Sequence, residues 1–227
     1  MIAHAQSAPV LGDDDFAAMR QAMVASQLRT VAVTDPRVIA AMADVPRERF
    51  VPADLAALAY SDRGVSLGQG RSINTPLATG RLLVEARLRA TDRVLLIGAG
   101  GGYTAAVLAR IVAEVTAVEA SPALAAHARS ALAGISGVTV VEGPLEAGDA
   151  DGAPYDVLIV DGAIEELPPT LVSQVAEGGR IVAGVLEAGV SRLAVGTRAG
   201  AAVALAPFAD IDAVRLPGFA RPRKFTF

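Results

Sequence analysis

Residues 94–103 read VLLIGAGGGY, four apolar residues followed by a bend of glycines and an aromatic. An apolar run broken by glycine predicts a buried strand that turns sharply into a helix, and the ligand of that turn decides what the chain can do. Gly98, Gly100 and Gly102 stand two apart. A dinucleotide-binding turn wants its third glycine one place later, where the helix packs closely and its amino end meets a pyrophosphate. Tyr103 holds that place here. The G-x-G-x-G spacing instead suits a ligand that lies along the bend and has no diphosphate to be cradled.

Outward from the bend, apolar strands and helices alternate. RVLLI, VTAVE, VTVVE, YDVLIVD and RIVAGV read as strands; YTAAVLARIVA, SPALAAHARSALA and PPTLVSQVA read as helices. RLAVGTRAGAAVALAPF reads as two strands about a turn near Arg198 to Gly200. Strands that are apolar throughout and separated by helices predict a parallel sheet covered on both faces. Upstream, FAAMRQAMVASQL carries Phe16, Met19, Met23 and Leu28 near helical spacing, and Asp13-Asp14-Asp15 can cap that helix at the end of a loose tail. Asp35-Pro36 opens a second helix that runs to Pro46. SDRGVSLGQGRSINTP has no periodicity and reads as a long, functional loop before a helix that Pro76 opens. The expected organisation is a flexible tail over 1–15 and one domain over 16–227. Within it lie a helical part with the loop (16–75), the sheet core (76–210) and a carboxyl-terminal tail (211–227).

The strand after the bend ends at Glu119, about twenty residues on, where a carboxylate accepts from both hydroxyls of a ribose. An adenosine-containing ligand without phosphate satisfies both features, and S-adenosylmethionine is that ligand. A 2′-phosphate would be repelled by Glu119. The competing reading makes the glycines a plain tight turn and Glu119 a solvated strand end.

Composition limits the alternatives. The 227 residues are 52% hydrophobic with 22 glycines, enough apolar material for one sizeable core. A net charge of -4 argues against attraction to nucleic acid or an anionic membrane. The absence of cysteine removes disulfides, thiol catalysis and cysteine metal sites, and is compatible with the cytosol. With only His4 and His127, a histidine metal centre or triad has almost no material; no metal is expected. MIAHAQSAPVLGDDD does not read as a secretion signal, and no apolar run is long enough to span a bilayer. His127, on a polar helix side, and the RPRKF stretch with Arg221, Arg223 and Lys224 both read as solvated.

Longer stretches carry a resemblance. MVASQLRTVAVTDPRVIAAMADVPRERFVP, AYSD, LGQGRSINTP, VLLIGAGGGYTAAVLA, YDVLIVDGA and LVSQVAEGGRIV, spread from Met23 to Val185, resemble the protein-L-isoaspartate O-methyltransferases. The resemblance implies an α/β fold of the Rossmann-like class I methyltransferase type: a central, mostly parallel sheet flanked by helices, with an amino-terminal helical addition. It implies S-adenosylmethionine as cofactor and methylation of the abnormal carboxylate formed when asparagine deamidates or aspartate isomerises. The implied partners are isoaspartyl peptides or proteins, met in the cytoplasm by a monomer or weak homodimer, with neither nucleic acid nor membrane involved. The cofactor contacts are expected from Gly98, Ala99, Gly100, Gly102, Tyr103, Glu119, Ala120, Gly143 and Asp161. Substrate contacts are expected from Ser72, Asn74 and Thr75, although each is also ordinary turn chemistry.

The chemistry makes modest demands. A substrate carboxylate with a pKa of about 4 is ionised at neutral pH and needs no general base. Rate comes from aligning it with the sulfonium methyl and excluding water. This chain also departs from the family pattern. Ser72, Ile73 and Asn74 stand where threonine, isoleucine and serine are usual, and Arg71 replaces a glutamine, either binding the substrate carboxylate too well or, as expected, pointing to solvent. Leu96 replaces a glutamate that helps hold the methionine end of the cofactor, and Pro144 an aspartate that meets the adenine. Each lost charge-assisted bond is worth about 1.5–3 kcal/mol. Asp161, a new carboxylate at a strand end, either compensates or caps the next turn. Tyr60 and Asp62 either close over a peptide or serve packing. The departures leave two functions open: an isoaspartyl methyltransferase with a rewired pocket, or a cofactor-binding relative with a changed acceptor or a regulatory role.

Overall fold

The structure, a computed structural model, describes residues 11–221. A seven-stranded sheet runs through its centre in the order β5-β4-β3-β6-β7-β8-β9. Its parallel part comprises β3 (Arg93–Ile97), β4 (Glu114–Glu119), β5 (Val138–Glu142), β6 (Tyr155–Ile164) and β7 (Val175–Glu187). Two antiparallel strands, β8 (Val190–Thr197) and β9 (Ala206–Ala209), close one edge. Helices α3 (Pro76–Glu85), α4 (Tyr103–Leu108), α5 (Pro122–Ala131) and α6 (Pro169–Ser173) join the strands.

Alternation along β3 shows how the sheet is buried on both faces. Val94 and Leu96 enter one apolar cluster, Leu95 and Ile97 the other, as a period of two requires. All four are inaccessible to solvent. The first cluster takes in α1 (Asp13–Met23) and α2 (Pro36–Asp44), so the amino-terminal helices form part of the same core. Strand order reverses on either side of β3: the chain proceeds outward through β4 and β5, then returns to lay β6 on β3's other edge. That reversal opens a crevice at the carboxyl ends of β3 and β6, where sheets of this kind bind ligands.

Several local expectations change. Asp13, Asp14 and Asp15 lie inside the first turn of α1 rather than ending a loose tail; Gly12 caps the helix and its N–H donates to Asp15. Acidic side chains there face the positive end of the helix dipole. Residues 1–10 lie outside the described residues. The helix then widens into a π turn over Val24–Leu28. Asp35 caps α2 as expected, its carboxylate accepting from the Arg37 N–H.

The expected long loop is a two-stranded hairpin, β1 (Val65–Gly68) against β2 (Arg71–Ile73). Its alternation is short but real: Val65, Leu67, Arg71 and Ile73 face inward, and Gly68, Gln69 and Gly70 all adopt positive φ to turn the chain. The charge of Arg71 hid that pattern. The segment after β9 is likewise no free tail. The Ala163 N–H, near the end of β6, donates to the Val214 carbonyl and the Leu216 N–H donates to the Ala163 carbonyl, while Leu216 and Phe219 are buried in the second cluster. Arg221 is exposed with its N–H on Glu165, while Arg223 and Lys224 lie outside the described residues.

Candidate functional site

The glycine bend sits in the crevice and is shaped by its backbone. Gly98, Gly100 and Gly102 all have positive φ (86°, 55° and 102°), which lets three turns fit between β3 and α4 without strain. The Gly98 and Ala99 N–H groups both donate to the Val118 carbonyl on the neighbouring strand, locking the bend to β4. The tightest approach falls at Gly101, outside the G-x-G-x-G spacing: a Cβ there would lie 2.0 Å from the Phe50 carbonyl oxygen. Only the run GAGGG over 98–102, four glycines and one alanine, hinted at it.

Glu119 ends β4 beside the bend and is fully buried. The Gly100 N–H donates to Oε2 at 2.8 Å, and the Ser121 N–H to Oε1 at 3.0 Å. Arg71 is the larger surprise. Expected in solvent, it is 3% exposed and its Nη1 reaches Glu119 Oε1 at 2.6 Å. Charge explains the correction, since a carboxylate at the end of a buried strand needs a cation and Arg71 faces inward from β2. The sequence offered only alternation in a short strand as a signal.

Asp161 lies on β6 across the crevice, buried, accepting from Asn74 Nδ2 at 2.7 Å and from Thr104 Oγ1 at 2.5 Å. Burial pushes its carboxyl above the ordinary value, while both donors and the nearby Arg47 and Arg71 pull it down. Asn74 also accepts from the Val214 N–H at 2.8 Å, so its amide ties the hairpin to β6 and to the carboxyl-terminal segment. Thr75 caps α3, accepting from the Ala78 N–H. Ser72 stays half-buried beside them and lines the same hollow as Leu67, Asn74, Gly98, Tyr103 and Asp161. That hollow measures about 10 Å³, room for about one water.

Tyr103 is buried with its ring edge-on to Phe50, centroids 5.9 Å apart. The Arg47 guanidinium lies 4.5 Å above the ring and donates to the carbonyls of Ala59 and Asn74. Burial lowers the pKa of this arginine and raises that of Tyr103. Arg47, which in the sequence stands only as part of the longer family-like stretch, fixes the backbone of Asn74. Tyr60 is a packing residue, its hydroxyl donating to Glu48 and accepting from Arg20, and Asp62 is exposed.

At the far end of the crevice the surroundings open. Ala120 and Pro144 are exposed, and a Cβ on Gly143 would meet nothing within 4 Å. The Gly143 N–H donates to the Glu119 carbonyl, which holds the two strand ends side by side. Leu96, by contrast, is wholly within the apolar core. His127 is exposed, as expected. Among the described residues no helix is long and apolar enough to cross a membrane.

Comparison with known proteins agrees with this geometry. A sequence model of the Protein-L-isoaspartate(D-aspartate) O-methyltransferase (PCMT) family matches residues 18–209. The Protein-L-isoaspartate O-methyltransferase 1 of Rhodopseudomonas palustris (strain HaA2) is 44% identical over 186 residues, 80% of this chain and 76% of that one. The Protein-L-isoaspartate O-methyltransferase of Methanoculleus marisnigri is 42% identical over 168 residues, 73% of this chain and 76% of that one. In fold, the chain superposes on a solved protein-L-isoaspartate O-methyltransferase with a TM-score of 0.77 at 24% identity, covering 88% of this chain and 66% of the other. A putative relative from Plasmodium falciparum, solved with S-adenosyl-L-homocysteine, gives 0.71 at 18% identity over 86% of this chain and 96% of that one. Matched by the family's model over residues 18–209 and 44% identical to a named relative across 80% of its own length, the chain belongs to the protein-L-isoaspartate(D-aspartate) O-methyltransferase family.

Proposed function

We propose that this protein transfers a methyl group from S-adenosylmethionine to the carboxylate of L-isoaspartyl residues in damaged proteins, the first step of their repair. One observation carries the reading: a glycine bend without the dinucleotide spacing and a buried carboxylate meet at the sheet's switch point, joined by the Gly100 to Glu119 bond, in a chain of this family. The residues present suit the cofactor. Glu119 offers acceptors for a ribose, the bend itself carries nothing larger than the Ala99 methyl, and the open ground beside Ala120 and Gly143 has room for a flat base. When bound, the cofactor supplies an electrophilic sulfonium methyl.

The chain's own work is positional. The substrate carboxylate arrives ionised, so no residue needs to take a proton. Ser72 and the N–H groups of the hairpin orient it, while Leu67 and Leu216, which lie over the bend, exclude water. We place the protein in the cytoplasm, acting as a monomer or weak homodimer without nucleic acid or membrane; the acidic balance and lack of cysteine support this. A second reading, a cofactor-binding relative with a changed acceptor or a regulatory role, is favoured by one fact. Asn74 and Thr75, two of three expected substrate contacts, are already engaged with the fold.

Calorimetric titration with S-adenosylmethionine and S-adenosylhomocysteine, followed by labelled-methyl transfer to an isoaspartyl peptide and its aspartyl twin, separates the two. Binding with labelling of the isoaspartyl peptide alone is expected. Binding without labelling would transfer support to the second reading, and no binding would overturn both.

A further inference from the structure

We propose that Arg71 is a built-in competitor for the cofactor's place: its guanidinium holds the Glu119 carboxylate, and the cofactor enters by displacing it and lifting the β1–β2 hairpin. This rests on the reading of Glu119 as the ribose acceptor. A carboxylate has about four acceptor positions. Three are taken here, two on Oε1 by Arg71 Nη1 and the Ser121 N–H and one on Oε2 by the Gly100 N–H. Two ribose hydroxyls need two positions, and one remains. Both backbone donors are fixed by the bend and by the start of α5. Arg71 is the only one of the three that can leave.

The guanidinium is also loosely held for a buried cation. Its ion pair with Glu119 is its one hydrogen bond among the described residues, and its Nε is buried without a partner. Its Nη2 lies 3.3 Å from where a Cβ on Gly98 would stand, so it occupies the surface of the bend itself. The same hairpin brings Leu67 to 2.9 Å from the corresponding point on Gly100. One small element thus covers the bend twice. The hairpin pairs only with itself, outside the seven-stranded sheet, and its exposed turn is built on Gly68 and Gly70. Lifting it breaks no ladder of the main sheet. Cofactor affinity is therefore set partly by Arg71, and with it the accessibility of the substrate-facing Ser72 on the same strand.

The test compares wild type with Arg71→Gln and Glu119→Gln by calorimetric titration with S-adenosylhomocysteine, alongside thermal unfolding. Arg71→Gln should bind about tenfold more tightly while its free form unfolds at a lower temperature, a combination that a purely structural arginine cannot give. Glu119→Gln should bind at least tenfold more weakly. Unchanged or weaker binding by Arg71→Gln, with Glu119→Gln weakened, overturns the competitor and leaves the ribose reading standing. Undiminished binding by Glu119→Gln overturns both. If Arg71→Gln does not fold, a crystal structure of wild type with S-adenosylhomocysteine decides: Arg71 should be beyond hydrogen-bond reach of Glu119, and a retained pair with the ribose seated overturns the proposal.

Discussion

Asn74 and Asp161 stand 87 residues apart and are joined by a 2.7 Å hydrogen bond inside the crevice. Because Asn74 also accepts from Val214, its side chain links three segments that meet nowhere else in the sequence. Asn74→Ala strips Asp161 of one donor and leaves the Val214 N–H unpaired. It should lower unfolding free energy by about 1–3 kcal/mol, read from denaturant midpoints.

Asp161 itself makes stability depend on pH. Its folded carboxyl keeps its proton to a higher pH than the ordinary value of 3.8, chiefly because it is buried. Through that window the unfolded chain loses its proton first, so stability contributed by this group is full below the unfolded value and declines as pH rises through the folded one. Asp161→Asn should flatten that decline. Unfolding curves for both proteins between about pH 4 and pH 8 give the difference directly, since other carboxylates contribute equally to each. Parallel curves would show that Asp161 does not titrate in this way.

Gly101 and Gly143 offer a matched pair. Gly101→Ala forces a Cβ against the Phe50 backbone, which has no flexible end to yield, and should cost about 1–3 kcal/mol in thermal unfolding. Gly143→Ala meets open space and should leave stability within about 0.5 kcal/mol of wild type. If a nucleobase uses that space, the same variant binds S-adenosylhomocysteine more weakly by calorimetry. A destabilised Gly143→Ala, or one with full affinity, would argue against an adenine seat there.

Among the described residues the buried Tyr103 hydroxyl has no hydrogen-bond partner. Tyr103→Phe should therefore be neutral or stabilising by up to about 1 kcal/mol, because the unpaired group costs more buried than absent. Arg47→Ala, in contrast, removes the bonds to Ala59 and Asn74 together with the cation over the Tyr103 ring. A loss of about 3–5 kcal/mol is expected in chemical denaturation.

The outline of the fold was legible along the chain because it is written in local terms. RVLLI and the VLIV run of YDVLIVD are apolar on both faces, the mark of a covered parallel strand, and Asp35-Pro36 announces a helix by capping chemistry that needs no distant partner. Glu119 at the end of its strand was equally visible from spacing after the bend. The shortened α4 and α6 show where local signals fell short, since their apolar residues fit a turn or a strand as readily as another helical turn.

Sequence alone determined the layered α/β core, the glycine bend with its carboxylate and the absence of thiol chemistry, all properties of residue type and near spacing. Tertiary structure decided what the charged and amide side chains do: that Arg71 turns inward to Glu119, that Asn74 serves Asp161 and Val214, and that the segment after β9 closes over the bend. Those pairings depend on desolvation and on which distant carboxylate lies within reach, and neither is set until the hairpin packs on the sheet and brings β2 to the ends of β4 and β6.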